Sequence, residues 1–513
     1  MKILQRQIFY SMLTLVFAIG LLGFRAEAQT SKNSETSVSE RSYREARRIL
    51  EAAMTAYGGR DAVRSVENFS VKFEGANFRR NQSLRPEPPY DRTPLSGALI
   101  VDIKNGRLSQ EIVSKGVGGF DGHTRLVTDG KQGAALFLPE KRMTKLDNPA
   151  FSNQRERLRW LPHNIVLEAL GRATNTRSLG TTVFNNRPQD VVTYATEDGQ
   201  QLTLYFDAQT HLMSKFETVM FDVIVNEMAA ETIFPEHRTV DGKFKIPTGR
   251  VLRRAGEVIE EISYDFTFNK TLDDTLFQIP PGFTLEPPAP QNQPALAKLA
   301  EDVYLVRAAA GYNAMFVVFR DYVLVLEAPI NDLASNGVIA KIKETAPNKP
   351  VKYVVVSHHH TDHSGGVRAY VREGANIITT PGNKNFFTRM VEDVFSPSLS
   401  GRKQIARRDF IETFSNKKRV FTDGKQAVEL YDIGPSPHAE EMVVAYLPNE
   451  KIIFQGDLFN PPDDGRLESV GNATTKHFAE WLEKSKLLVE KIVAVHGRIA
   501  SPDEMNRSLK SSR

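Results

Sequence analysis

The sequence predicts an α+β protein built in two parts, an antiparallel β-rich N-terminal domain and a layered α/β C-terminal domain. Three observations lead there. The chain has 513 residues, more than a single hydrophobic core usually serves. A proline-rich run, Pro287-Pro288-Ala289-Pro290-Gln291-Asn292-Gln293-Pro294, breaks all periodicity and reads as a semi-rigid spacer. The rhythm also changes across that run, from strand after strand before it to strands separated by helices after it.

Composition narrows the classes. The chain is 41% hydrophobic and 25% charged, which excludes a disordered or polytopic membrane protein. Its formal net charge of +4 is too small to favour nucleic acid as a partner. Lys2 and Arg6 precede an apolar run from Ile8 to Phe24, followed by Ala26-Glu27-Ala28, a small-x-small cleavage pattern. Residues 1–28 therefore read as a signal peptide, with a periplasmic or secreted location and no stable membrane span after its removal. The chain has no cysteine, so an exported protein here gains nothing from disulfides and cannot use a thiol nucleophile.

The elements follow in order. Residues 29–41 are polar and expected to be a disordered leader. Residues 42–286 form the β-rich domain, opened by a helix over Arg41–Tyr57 that ends at Gly58-Gly59. Segments such as NFSVKFEG, GALIVDI, QLTLYFD and VIEEISYDFTF alternate apolar and polar residues, and Asp129-Gly130 and Asp241-Gly242 mark turns. One helix is expected near Phe151–Leu170. The four histidines of this part, His123, His163, His211 and His237, are scattered and read as structural or surface residues. Residues 287–297 form the linker, 298–502 the second domain and 503–513 a tail.

The chemistry lies in the second domain. Strand Lys352–Val356 runs into Ser357-His358-His359-His360-Thr361-Asp362-His363-Ser364-Gly365-Gly366. In extended chain, residues two apart share a side, so His358 and His360 aim at one point and His359 faces away. Asp362 and His363 follow the turn and reach a neighbouring point, and Gly365 and Gly366 ease the chain into a helix. The motif sits at the C-terminal end of a strand, where open α/β sheets place ligand sites. Three further candidates also lie after or between strands: His438 in Gly434-Pro435-Ser436-Pro437-His438, Asp457 in Gln455-Gly456-Asp457, and His496 before Gly497.

Nitrogen and oxygen donors without thiolate suit zinc, and also iron or manganese. Two such ions hold a bridging hydroxide, because metal binding lowers the pKa of water from ~15.7 towards ~7. That hydroxide attacks a carbonyl, phosphoryl or sulfuryl centre, with Asp362 as the catalytic partner for its proton. His477 on a helix reads as a solvent-exposed residue before a site residue, and Tyr312 and Asn313 are pocket-lining candidates by position alone. The basic stretch from Arg402 to Arg419 reads as a solvated segment before an anion-steering one.

From about Ala300 to Ser501, roughly two fifths of the chain, the sequence resembles the metallo-β-lactamase-fold hydrolase superfamily. The carriers are S-H358-H-H360-T-D362-H363-S-G-G, P-H438-A-E, Q-G-D457-L-F and V-H496-G. The resemblance implies an αββα sandwich and two divalent metal ions. It implies that His358, His360 and His438 hold one metal, that Asp362, His363 and His496 hold the other, and that Asp457 bridges them. An aspartate at that last position is similar to glyoxalase II, lactonase, sulfatase and phosphodiesterase relatives, since several β-lactamases of this fold carry cysteine or serine there. The N-terminal strands more diffusely resemble periplasmic lipoprotein-carrier half-barrels, whose concave apolar face could hold an acyl or other lipophilic ligand or serve for packing.

The expectation is an exported dinuclear hydrolase of a small-molecule ester, thioester, lactone or amide. Phosphodiester or sulfate ester hydrolysis and β-lactam hydrolysis are the alternatives within the fold. A non-catalytic periplasmic carrier of lipophilic ligands is the alternative of a different class.

Overall fold

The computed structural model describes residues 36–117, 121–146, 157–172, 174–242, 244–286, 294–307, 311–395, 406, 408–414, 416–463, 465, 467 and 471–511. The expected signal peptide and residues 287–293 of the expected linker lie outside the described residues.

Fourteen strands of the N-terminal part form one sheet. Its middle is the pair Asn68–Phe78 and Glu257–Phe268, antiparallel with Phe69 opposite Phe268, Val71 opposite Phe266 and Phe73 opposite Tyr264. The period of two explains the pairing: Phe69, Val71 and Phe73 are buried, while Lys72 and Glu74 between and beyond them face solvent. From this pair the sheet runs one way through Arg92–Asp102, Arg107–Ser114, Gly122–Thr128 and Gly133–Phe137 to Arg142–Lys145. Thr284–Leu285 closes that edge with a parallel pairing. The other way it passes Gly249–Arg254 and Asn226–Ile233 and ends at Arg177–Phe184. Asp241 and Gly242 both take positive φ, 50° and 64°, and turn the hairpin His237–Val240/Phe244–Pro247 as the Asp-Gly signal predicts.

Helices of the protein itself pack on part of this sheet. Helix Val38–Ala56 buries Ala46, Ile49, Leu50, Ala53 and Met54, an i, i+3, i+4, i+7, i+8 stripe. That stripe packs with Ile165, Val166 and Leu170 of helix Pro162–Gly171 onto Val192, Leu204 and Phe206 of the sheet. The first helix begins at Val38, inside the leader expected to be disordered. Ser37 caps it by accepting from Glu40 N–H at 3.1 Å, in a Ser-x-x-Glu sequence.

The C-terminal part is a four-layer sandwich. A seven-stranded sheet runs in order from Ala295–Ala300 through Asn313–Val318, Val323–Leu326 and Val351–Val355 to Ile411–Thr413. A five-stranded sheet runs from Lys418–Thr422 through Ala427–Asp432, Val443–Leu447 and Ile452–Gln455 to Lys491–Ala494. Leu305, Val317, Leu324 and Val355 of the first interleave with Leu430, Val443, Phe454 and Val493 of the second to form the central core. Helices Asp332–Thr345, Val367–Arg372 and Lys384–Val391 cover the first sheet, and Ala473–Ser485 with Pro502–Ser511 covers the second. Two expected boundaries move. The expected linker ends earlier, because Ala295–Ala300 pairs with Val303–Arg307. The expected tail is a helix, because Met505 and Ser508, three residues apart, are both buried.

The two parts meet along a buried seam. The segment between strands Asn68–Phe78 and Arg92–Asp102 crosses onto the sandwich, where Leu84 O accepts from Glu440 N–H at 2.7 Å. Arg368, almost fully buried, donates to the carbonyls of Val223 and Ile224 at 2.6 and 3.1 Å. Ile224 packs into the C-terminal core.

Candidate metal centre

Strand ends deliver the donors to one place. Val351–Val355 leads to His358, His360, Asp362 and His363, Ile452–Gln455 to Asp457, and Lys491–Ala494 to His496. His438 comes from the loop between Ala427–Asp432 and Val443–Leu447. Glycine is required where this chain turns, for closeness rather than for φ. Gly365 is right-handed helical, but a Cβ there would stand 2.0 Å from Ile330 O. A Cβ at Gly456 would stand 2.2 Å from Ser357 Oγ. Asp457 itself has φ 55°, in the left-handed region that favours glycine, a strain that persists where surrounding contacts impose it.

The seven predicted residues form two groups that share Asp457. His358, His360, His438 and Asp457 bring one donor atom each within 4.8 Å of one another, and so do Asp362, His363, Asp457 and His496. His358 Nε2 lies 3.2 Å from His438 Nε2, and His363 Nε2 lies 3.2 Å from His496 Nε2. Asp457 Oδ2 is 3.2 Å from both His438 Nε2 and His363 Nε2, and its Oδ1 is 3.0 Å from His496 Nε2. These spacings fit a metal. A four-coordinate ion about 2.0–2.1 Å from each donor sets neighbouring donors about 3.3 Å apart. The ring nitrogen left over supports the same conclusion. His360 Nδ1 is buried and has no hydrogen-bond partner.

The outer contacts aim the rings. Ser357 Oγ is 3.0 Å from His358 Nδ1, leaving Nε2 for the site. His360 Nε2 donates to Ser83 O at 2.9 Å, which leaves Nδ1 bare. Glu327, fully buried, accepts from Ser357 N–H at 3.0 Å with Oε1 and faces His363 Nδ1 with Oε2 at 3.4 Å. Asn460 Nδ2 donates to Asp457 Oδ1 at 3.1 Å. Gln82 Nε2 donates to Asp362 Oδ1 at 2.7 Å, which leaves Oδ2 at 3.6 Å from both His363 Nε2 and His496 Nε2.

Electrostatics separates the two groups. Burial, reinforced by neighbouring imidazoles, holds His358 and His360 well below the usual histidine range. Burial alone would raise the Asp457 carboxyl, but His363 and His496 outweigh it and hold it well below the carboxylate range. His496 opposes burial through Asp457 and Asp362 and rises to about 9. His358 and His360 are thus held as neutral imidazoles, while His363 and His496 are drawn into an imidazole–carboxylate cluster with Asp362 and Asp457.

The remaining candidates divide. His359 is buried against Phe386, with ring centroids 5.5 Å apart, and belongs to neither group, although it lies in a bend past the end of strand Val351–Val355 rather than in extended chain. Tyr312 does line the site: its ring meets His496 at 4.6 Å, and burial with Asp362 and Asp457 nearby pushes its hydroxyl up. Asn313 instead ties two strand ends, donating to Ala494 O and Gly497 O at 2.9 and 2.8 Å. His477 is half-buried, not exposed, because its Nε2 reaches Ile433 O at 3.2 Å, away from both groups. In the basic stretch, Lys417, Lys418 and Arg419 are paired to Asp432, Glu429 and Glu412, which removes them as free steering charges.

A cavity of about 430 Å³ opens on Asp362, His438, Asp457 and His496. Its opposite wall is Arg79, Gln82, Gly116 and Val117 of the N-terminal part. Sequence reasoning missed these four and Asn460. None lies in a motif, and the only local hint, two adjacent arginines after a strand, is commonplace.

Known proteins bear on the C-terminal part through a family model. Residues 332–496 match the family model of the metallo-beta-lactamase superfamily. A "Metallo-beta-lactamase type 2" of Bacteroides fragilis is 25% identical over 173 residues, 33% of this chain and 59% of that protein. The chain thus spans little more than half the length of that relative. Among solved structures, a metallo-beta-lactamase from Pontibacter korlensis is 20% identical, with 43% of this chain and 98% of that chain covered and a TM-score of 0.32. FIM-1 from Pseudomonas aeruginosa is 18% identical, with 43% and 96% covered and a TM-score of 0.31. The donor groups on adjoining strand ends lie within residues 332–496, the region that matches the metallo-beta-lactamase superfamily model.

Proposed function

We propose that the chain is an exported, dinuclear metal-dependent hydrolase of a small ester, thioester, lactone or amide. One observation carries this reading: seven donors in two groups that share Asp457, four of which, Asp362, His438, Asp457 and His496, line a cavity of about 430 Å³. His358, His360 and His438 would hold one divalent ion and Asp362, His363 and His496 the other, with Asp457 common to both. Zinc fits this all-nitrogen-and-oxygen set best, with iron or manganese as substitutes. When bound, such ions supply Lewis acidity that polarises a scissile carbonyl and acidifies water.

The protein's own groups do the rest. Ser357 and Ser83 O fix which nitrogen His358 and His360 present. Gln82 holds Asp362 Oδ1 and so turns Oδ2 towards His363 and His496, where it would meet the ion, and the carboxylate would serve as the partner for the proton of the attacking water. Tyr312, held protonated, stands beside Asp362 as a donor. With no cysteine in the chain, a thiolate nucleophile plays no part. The basic and apolar leader ending at Ala26-Glu27-Ala28 supports export.

The test is metal analysis joined to an activity panel. Purified protein should carry about two metals per chain, and chelation should abolish hydrolysis of esters and lactones. Asp362→Ala should lose turnover. β-Lactams belong in the panel because of the Bacteroides fragilis relative's name. Less than one metal per chain, with no turnover on any substrate class, would overturn the reading.

A further inference from the structure

Two adjacent arginines follow the first strand of the N-terminal sheet, and their surroundings differ. Arg80 is buried and neutralised: Nη1 and Nη2 reach Asp222 Oδ2 and Oδ1 at 2.7 and 3.3 Å. Arg79 is half-buried on the wall of the cavity that holds Asp362, His438, Asp457 and His496. Its Nη2 donates to Lys115 O at 2.8 Å, and its Nε is buried without a partner. Among the described residues no carboxylate lies within ion-pair distance of it. The acid that acts on it from further away, Asp121, is taken by Lys115 Nζ and Gly116 N–H. Burial accordingly lowers Arg79 from its ordinary range, with Asp121 only partly opposing.

A guanidinium that is partly desolvated and left without a counter-charge is costly unless something anionic reaches it. The carboxylates across the cavity do not fill that role. Asp457 is engaged by His363, His438 and His496, and Asp362 by Gln82. Arg79 lines this cavity and a smaller one on the N-terminal side, and only the first also holds Asp362, Asp457 and His496; a partner bound there meets a planar guanidinium, which best matches a carboxylate.

Resting on the hydrolase reading above, we propose that the substrate carries a carboxylate of its own and that Arg79, supplied by the N-terminal domain, binds it while the scissile group faces Asp362, Asp457 and His496. The domain seam then sets substrate class. The C-terminal strand ends hold the reacting end, and the segment after strand Asn68–Phe78 selects the anionic end.

The test uses metal-loaded, full-length protein and two matched esters, mono-4-nitrophenyl succinate and the neutral 4-nitrophenyl 4-methylpentanoate. In the wild type the ratio of kcat/KM, anionic over neutral, should exceed one. Arg79→Gln should lower that ratio about tenfold, the scale of a lost charge-assisted hydrogen bond, and Arg79→Lys should lower it less. An unchanged ratio in Arg79→Gln overturns the proposal, including the case where both rates fall together. Calorimetric binding of succinate against butyrate gives a readout without turnover. Preference for succinate in the wild type, lost about tenfold in Arg79→Gln, supports the site even if neither ester is hydrolysed, in which case the hydrolase reading alone fails. Equal preference in both proteins overturns the anion site and leaves the hydrolase reading standing.

Discussion

Both halves of the molecule bury histidines, and only one half makes a site of them. In the N-terminal sheet His163 is fully buried beside Tyr57 and Phe244, with ring centroids 5.9 and 6.0 Å away. Its ring nitrogens have no side-chain partner, and burial pushes it down to about 4. His237 meets Tyr57 Oη at 3.2 Å and is likewise pushed down by burial, to about 4. No carboxylate converges on either among the described residues, so these rings serve as polar members of an aromatic core. In the sandwich, five imidazoles share their burial with Asp362 and Asp457. Burial alone therefore does not mark a metal centre. Convergence of imidazole nitrogens on shared carboxylate oxygens does.

The comparison breaks most severely at Asp457. Asp457→Ala removes the one donor common to both groups, so bound metal should fall from about two per chain to less than one, measured by elemental analysis. Retention of both metals would mean that the groups do not depend on a shared carboxylate.

The seam between the halves gives the next largest effect. Asp222→Ala strands the Arg80 guanidinium in a buried setting, and unfolding in urea should show a loss of about 3–5 kcal/mol. Replacing both residues with apolar ones of similar size should recover much of that loss.

The buried histidines of the N-terminal core sharpen the contrast through pH. His163 titrates near 6.5 when unfolded and about 4 when folded. Between those values the unfolded chain binds the proton and the folded one does not. His163 therefore costs nothing above about pH 6.5, and stability falls as pH drops towards 4, by about 3 kcal/mol in all. His163→Leu should flatten that part of a stability-versus-pH curve. An unchanged slope would place the proton uptake elsewhere.

The smallest effect tests whether the N-terminal half reaches into the chemistry. Gln82→Leu frees Asp362 Oδ1 and should lower kcat about tenfold, roughly 1.4 kcal/mol, with metal content held near that of the wild type. Gln82→Glu should add a charge beside Asp362 and shift the pH-rate profile upward. A profile that stays in place would reduce Gln82 to a packing role.

Much of the centre was legible in the chain because its information is local. H-x-H-x-D-H after an apolar strand marked the donors, although the strand ends at Val355 and Ser357 to His359 bend, so the turn of the loop and not the period of two sets His359 against Phe386. Sandwich layers were legible from strands spaced by helical segments. Other elements were less so. The Gly365 reading was right in residue and wrong in reason, since the need is for room beside Ile330 O, and room is a property of packing. His477 looked exposed because a helix surface is the default, but a loop carbonyl at Ile433 came to meet it. The helix at Val38 was hidden by polar composition, although Ser37 and Glu40 carry a capping pattern.

By itself the sequence determined the kind of chemistry: which donors exist, that no thiol is among them, and that strand ends present them. These depend on residue type and on spacings of a few positions, which backbone geometry converts directly into direction. Only the tertiary structure decided what surrounds the donors. Gln82 meets Asp362 across 280 residues of chain, and Ser83 meets His360 across 277. Arg79 and Arg80, neighbours in sequence, part company because one finds Asp222 beneath the seam and the other faces the cavity. Such contacts arise from how one sheet lies against another, and no local periodicity records that.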